Sequence, residues 1–224
     1  MSFLVIENLT KIYTVERTTF VGVEDVSLSV SRGDFLSIVG HSGSGKTTLI
    51  SIIGGILKPT AGRVLLDGVD LCRLEDNELS EYRSSKIGFM FQFASLLPML
   101  TARENVLLPG IFSAGRNKEG ARTAQNLLEM VGLGDKLDSY PSQLSGGQQR
   151  RVAIARALVN SPDIILADEP TGDLDEETEA EIMRLFQVIN REQGVTIILI
   201  THNLELAGKA QKKLRMSRGR LVER

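Results

Sequence analysis

The sequence has no tryptophan, one cysteine and two histidines, and aromatic residues make up only 5% of its 224 positions. A single thiol, Cys72, excludes an intrachain disulfide and a thiolate cage around a metal. His41 and His202 are too few to build a histidine-ligated centre. An excess of one charge is missing too. The 26 Lys and Arg against 28 Asp and Glu leave a net charge of −2, which argues against nucleic acid as a partner held by bulk positive charge. No apolar run approaches the ~20 residues that a membrane span needs. The FLVI run at the N-terminus stops at Glu7, too short for a secretory signal. The expectation is a cytosolic chain that neither crosses a membrane nor is exported by a cleaved signal.

What is present is a balance of 42% hydrophobic and 24% charged residues, ordinary for a globular domain with a proper core. The length suits one domain with an inserted lobe. Residues 3–8 and 23–30 alternate apolar with polar, which predicts half-exposed antiparallel strands. FLSIV (35–39), KIGFMF (86–91), DIILA (163–167) and VTIILI (195–200) are short apolar runs. The last two do not alternate, as expected of parallel strands buried on both faces. A helix is predicted from the glycine-rich loop after residue 39 to about Ile56, ended by Lys58-Pro59-Thr60-Ala61-Gly62, with a strand at 63–66. Helical periodicity over 101–108 and 118–131 replaces the strand pattern in mid-chain, and a further helix is predicted from about Asp175 to Glu192. KKLRM and RLVE close the chain as short strands around Arg218-Gly219. The predicted fold class is α/β with a mainly parallel core, an antiparallel N-terminal part and a helical lobe inserted at about 92–159 between core segments 1–91 and 160–224.

Ligands of open α/β sheets sit beyond the carboxyl ends of the parallel strands, so the residues after each buried run carry the functional argument. FLSIV is followed by GHSGSGKT: Gly40, His41, Ser42, Gly43, Ser44, Gly45, Lys46 and Thr47, with Thr48 next. This is a full match to the phosphate-loop pattern, in which glycines let backbone N–H groups turn toward phosphate oxygens, Lys46 reaches the β and γ phosphates and the Thr47 hydroxyl ligates Mg²⁺. A helix starting near Gly45 aims its positive end at the same anion. DIILA is followed by Asp168 and Glu169. Two acids at the tip of a buried strand are costly without a cation nearby. Neighbouring strand residues point to opposite sides, so Asp168 is assigned to the metal and Glu169 to the attacking water. VTIILI is followed by Thr201 and His202, and a third strand end in the same sheet makes His202 a γ-phosphate contact. LSGGQ (144–148) opens a long helical stretch, and Ser145 with Gln148 has the spacing of a capping box. Gly146 and Gly147 each cost about 1 kcal/mol relative to Ala in a helix, which a backbone-close approach to a second phosphate would explain.

With both motifs present, the whole chain resembles the nucleotide-binding subunit of an ATP-binding cassette (ABC) transporter, a phosphate-loop NTPase. The resemblance implies that Tyr13 stacks on adenine, that Gln92 ligates the metal and links it to the helical lobe, and that the TGDLD loop (171–175) touches a partner subunit. It implies ATP and Mg²⁺ as cofactors and a head-to-tail homodimer, in which Ser145, Gly146, Gly147 and Gln148 of one copy close over ATP held by Gly40–Thr48 of the other. FQFASLLPMLTARENVLLP (91–109) and YPSQLSGGQQRRVAIARAL are similar to the lipoprotein-release and macrolide-efflux branch, which also includes the cell-division cassette. That similarity implies an integral membrane permease as partner and a peripheral place on the cytoplasmic face of the cell membrane. Phe93, Leu96, Leu97, Pro98, Met99 and Leu100 are candidates for an apolar groove receiving a permease helix, or for internal packing of the lobe. His41, Thr47-Thr48, Asp173 and Asn203 depart from the residues usual in the family, but Thr47 keeps the required hydroxyl. The seven bases and two acids of 203–224 read as a solvated face, with attraction to anionic lipid as an alternative. The expected activity is Mg²⁺-dependent ATP hydrolysis driving a permease. The alternatives are a soluble ATPase of the same fold, such as an iron–sulfur assembly subunit, a mechanical regulator that moves no cargo, and a nucleotide-gated module without hydrolysis.

Overall fold

Side-chain alternation along Ser2–Val15 (β1) and Thr18–Ser31 (β2) builds an antiparallel ribbon, with Leu4 opposite Val30 and Tyr13 opposite Phe20. The computed structural model describes residues 2–222 except 17, 93 and 113–119. Both strands run 14 residues, well beyond the expected segments, because residues 9–15 and 18–26 go on pairing through several register shifts. Ala61–Leu66 (β4) and Val69–Asp70 (β5) complete a sheet of order β2-β1-β4-β5. A second sheet has the order β10-β9-β3-β8-β7-β6. Its strands are Phe35–Val39 (β3), Ile87–Met90 (β6), Ile164–Asp168 (β7), Thr196–Thr201 (β8), Lys212–Ser217 (β9) and Arg220–Val222 (β10). All pair in parallel except β9 with β10, as expected of a mainly parallel core.

Every residue of β3, β7 and β8 is buried, and the two faces divide the core between them. Leu36, Ile38, Leu166, Ile198 and Ile200 join Leu4, Ile6 and Leu49 between the two sheets. Phe35, Ile165, Ala167, Ile197 and Leu199 join Val152, Phe186 and Leu128 on the helical side. Burial of such a side chain is worth about 1.5–3 kcal/mol, so both faces of these strands are strongly specified and the runs cannot alternate.

The helix after the loop, Lys46–Ile53 (α1), is shorter than expected and is ended by glycines rather than by Lys58-Pro59. Gly55 takes a left-handed φ of 66°, and a Cβ on Gly54 would lie 1.8 Å from the Phe89 ring. Asp76–Lys86 (α2) has no counterpart in the sequence reading, because it is polar on nearly every side and buries only Leu79. Between β6 and β7 the described residues hold helices and no strand: Ala102–Leu107 (α3), Gly120–Met130 (α4) and Gly146–Leu158 (α5). The start of the predicted 118–131 helix, at 118–119, lies outside the described residues. Glu176–Gln193 (α6) follows its N-cap Asp175, and Leu204–Ala207 (α7) follows β8. In the basic C-terminal stretch, Lys212 pairs with Asp34 and Arg220 with Glu24. No helix among the described residues is long and apolar enough to cross a membrane.

Candidate active site

Parallel pairing brings the carboxyl ends of β3, β8, β7 and β6 to one edge, with Val39 opposite Thr201, Asp168 opposite Ile200 and Ala167 opposite Met90. Residues after those ends line one cleft of about 810 Å³: His41 through Thr48, Gln92, Asp168, Glu169 and His202. Tyr13 joins them from β1. Gly40 sits just behind, its N–H donating to the Thr201 carbonyl at 3.3 Å.

The loop's shape follows from two glycines. Gly45, the N-cap of α1, has φ 101°, and a Cβ there would lie 2.1 Å from the Gly22 carbonyl oxygen. A Cβ on Gly40 would lie 2.4 Å from the Met216 carbonyl oxygen. The Lys46 ammonium, only 7% exposed, donates to the carbonyls of Gly40 (2.7 Å) and His41 (3.2 Å), and lies 3.9 Å from Glu169 Oε1. The Ser44 hydroxyl is buried in the loop with no hydrogen-bond partner among the described residues. An orphan hydroxyl and a buried cation facing one cleft are the donors a phosphate would satisfy.

Asp168 is the last residue of β7 and is 8% exposed. Burial pushes its carboxyl above the usual range, against the opposing pull of a hydrogen bond from Thr47 and the charge of Lys46. A carboxylate held against its own desolvation beside a hydroxyl suits a cation that brings its remaining ligands with it. The described residues contain no cluster of three or more His, Cys, Asp or Glu that could hold a metal ion. Glu169 breaks from the strand with a left-handed φ of 45°, its N–H donating to the Ile200 carbonyl. Left-handed backbone at a residue with a Cβ is strained and concentrates at functional positions. It is this turn, rather than strand alternation, that sends Glu169 away from Asp168. Glu169 Oε2 lies 3.1 Å from His202 Nδ1 and accepts the His202 backbone N–H at 3.3 Å.

Tyr13 stacks on Phe20 with ring centroids 5.2 Å apart, and its hydroxyl lies 3.2 Å from Thr48 Oγ1. Phe20, Val21 and Gly22 also line the cleft and were not anticipated. The hairpin register that sets Phe20 opposite Tyr13 was the signal, and the polar stretch 14–19 concealed it.

Ser145, Gly146, Gly147 and Gln148 do not line this cleft in the same chain. The capping box is present: the Ser145 Oγ accepts the Gln148 N–H, and Gln148 Oε1 accepts the Ser145 N–H. The two glycines differ in their surroundings. Gly146 is exposed, whereas Gly147 is buried, and a Cβ on Gly147 would lie 2.5 Å from Thr178 Cγ2 at the start of α6. Packing within the chain therefore accounts for Gly147. The candidates for an apolar groove or for internal packing divide between surface and core. Leu97, Pro98 and Met99 are exposed on a turn that the buried Asn105 closes by bonding to Leu97, Leu100 and Thr101, and Leu96 packs against the core. None of Leu96–Leu100 lines the adjoining cavity of about 490 Å³, whose walls include Arg83, Phe89, Phe91, Leu108, Pro109 and Arg156. Phe93 lies outside the described residues.

Residues 23–172 match the model of the ABC transporter family. The chain is 43% identical over 221 residues to the lipoprotein-releasing system ATP-binding protein LolD of Geobacter metallireducens, covering 99% of this chain and 98% of that one. It is 45% identical over 221 residues to the macrolide export ATP-binding/permease protein MacB of Syntrophobacter fumaroxidans, covering 98% of this chain but 31% of that longer one. Among solved structures, a dimeric ATP-binding cassette in a post-hydrolysis state with ADP and Pi superposes with a TM-score of 0.90 at 43% identity, over 99% of this chain and 97% of that chain. The chain thus belongs to the ABC transporter family, as one of its ATP-binding, ATP-hydrolysing cassettes.

Proposed function

We propose that this chain binds ATP in the cleft above β3, β7 and β8 and hydrolyses it with Glu169 as the group that activates water. The single observation that carries the reading is the convergence of Lys46, Asp168, Glu169 and His202 on one cleft from three separate strand ends. The Gly40–Thr48 loop takes the phosphates, with Lys46 on the β and γ groups and Tyr13 against the base. Thr47, Gln92 and Asp168 would hold Mg²⁺, which when bound neutralises charge on the phosphate oxygens. Glu169 takes a proton from water as the water oxygen bonds to the γ phosphorus. The bond from that phosphorus to the β–γ bridging oxygen breaks, and ADP leaves with the electron pair. His202, 3.1 Å from Glu169, orients that carboxylate and reaches the γ phosphate.

Ser145, Gly146 and Gln148 complete the site from a second copy. Their exposed helix start and its positive end suit the outer side of the same triphosphate. A separate membrane permease takes up the resulting motion, with the chain peripheral on the cytoplasmic face. The similarity to LolD and MacB supports this, as does the 490 Å³ groove beside Phe91, which is 44% exposed. Such a groove suits the apolar face of a permease helix.

Glu169→Gln keeps the shape of the side chain and removes its basicity. Turnover is expected to fall at least about 100-fold with ATP binding retained, measured by phosphate release and by nucleotide titration. Hydrolysis at the wild-type rate would remove Glu169 from the mechanism.

A further inference from the structure

Arg150 lies on α5, five residues after Ser145, and is 6% exposed. Its Nη2 donates to the Gly172 carbonyl at 3.1 Å, while its Nη1 is buried without a hydrogen-bond partner among the described residues. Burial lowers the guanidinium's proton affinity, and the charge of Asp173 opposes that effect. The contact continues inward, because the Gly172 N–H donates to the Glu169 carbonyl at 3.1 Å. Both ends of this loop are strained: Glu169 and Asp173 have φ of 45° and 64°, left-handed values that a residue with a Cβ resists. The segment that follows this loop also faces α5: a Cβ on Gly146 would lie 3.4 Å from Leu174 Cδ2, and Thr178 at the start of α6 abuts Gly147.

We infer that Arg150 is a positioning residue for hydrolysis: through Gly172 it ties the Ser145–Gln148 turn to the backbone of Glu169, so the second-copy surface and the water-activating carboxylate move as one piece. The inference rests on the reading of Glu169 given above. A purely structural role would not call for a guanidinium here. An apolar side chain of similar length would fill the space with no orphan donor, and replacing a buried charge in this way is often neutral or stabilising. A cation holding the carbonyl of Gly172, whose own N–H donates to the Glu169 carbonyl, is better explained by the geometry it enforces.

The test is steady-state ATPase of Arg150→Met and Arg150→Lys beside wild type, with thermal unfolding of each. The methionine variant is expected to lose about tenfold in kcat, with KM for ATP within twofold and the melting temperature unchanged or raised. Lysine keeps the charge and a donor toward Gly172, so its kcat is expected between the two. A folded Arg150→Met with kcat within twofold of wild type overturns the inference, as does a KM that rises by the same factor as kcat falls. If the methionine variant does not fold, an Arg150→Lys enzyme with wild-type kcat overturns it. Glu169→Gln, measured in parallel, separates the two ideas: full turnover there defeats the reading of Glu169, whereas an inactive Glu169→Gln beside an active Arg150→Met defeats only the role of Arg150.

Discussion

Lys46 is buried, its ammonium hydrogen-bonded to two carbonyls of its own loop, with the Glu169 carboxylate at 3.9 Å, beyond hydrogen-bond reach. Neutral acceptors compensate a desolvated cation poorly, and an anion in the cleft compensates it well. Lys46→Ala is therefore expected to weaken ATP binding by at least about tenfold, read by calorimetric or fluorescence titration; unchanged affinity would contradict the assignment of the loop. Tyr82 illustrates a purely structural group. Its hydroxyl donates to the Leu66 carbonyl at 2.7 Å, and burial pushes its pKa from 10.0 to about 12. The unfolded chain therefore releases this proton first as pH rises. The contribution of Tyr82 to stability is whole below pH 10 and is lost as pH climbs toward 12. Tyr82→Phe is expected to cost about 0.5–1.5 kcal/mol near neutral pH and to flatten the alkaline loss of stability relative to wild type, as measured by denaturant unfolding at stepped pH.

At the scale of the element, α5 shows how one motif can carry two requirements. Ser145 and Gln148 cap the helix reciprocally, the expected box, while the glycines between them face different neighbours. Gly147 has Thr178 against it, and Thr178 is held in place by its bond to Asp175. A methyl group there must displace a short side chain that is already engaged. Alanine would recover up to about 1 kcal/mol of helix propensity, but overpacking costs about 1–3 kcal/mol. Gly147→Ala is thus expected to lower the melting temperature, and Gly146→Ala, with 3.4 Å of room, to leave it equal or higher. The second variant is instead expected to impair ATP-dependent association, seen by light scattering with and without ATP. If Gly146→Ala lowers the melting temperature as much as Gly147→Ala does, the two glycines do not divide as described.

Over the whole molecule, the phosphate loop and the Ser145–Gln148 turn occupy separate surfaces of one chain. On the function proposed, a site that needs both is assembled from two copies of the chain. Blocking hydrolysis should therefore reveal the assembly. Glu169→Gln with ATP is expected to run at twice the mass of the same protein without nucleotide, by size exclusion with light scattering. A monomer at saturating ATP would break the link between the two surfaces.

Strand identity, the parallel core and the residues at its carboxyl edge were legible in the sequence. Buried runs such as DIILA and VTIILI have few alternatives once both faces must be apolar, and glycines with a lysine at fixed spacing have few uses other than a phosphate. The helix at 76–86 was not legible, because a helix that buries only Leu79 has almost no apolar period to read. Nor was the place of Leu96–Leu100, which depends on Asn105 folding that turn back on itself. Local pattern determines which elements form, since propensity and burial act along a few neighbouring residues. Which side chains meet is decided by contacts between distant segments: the left-handed turn that brings Glu169 to His202, Thr178 against Gly147, and Arg150 on Gly172. Those contacts exist only when the sheet and helices have packed, and no spacing along the chain encodes them.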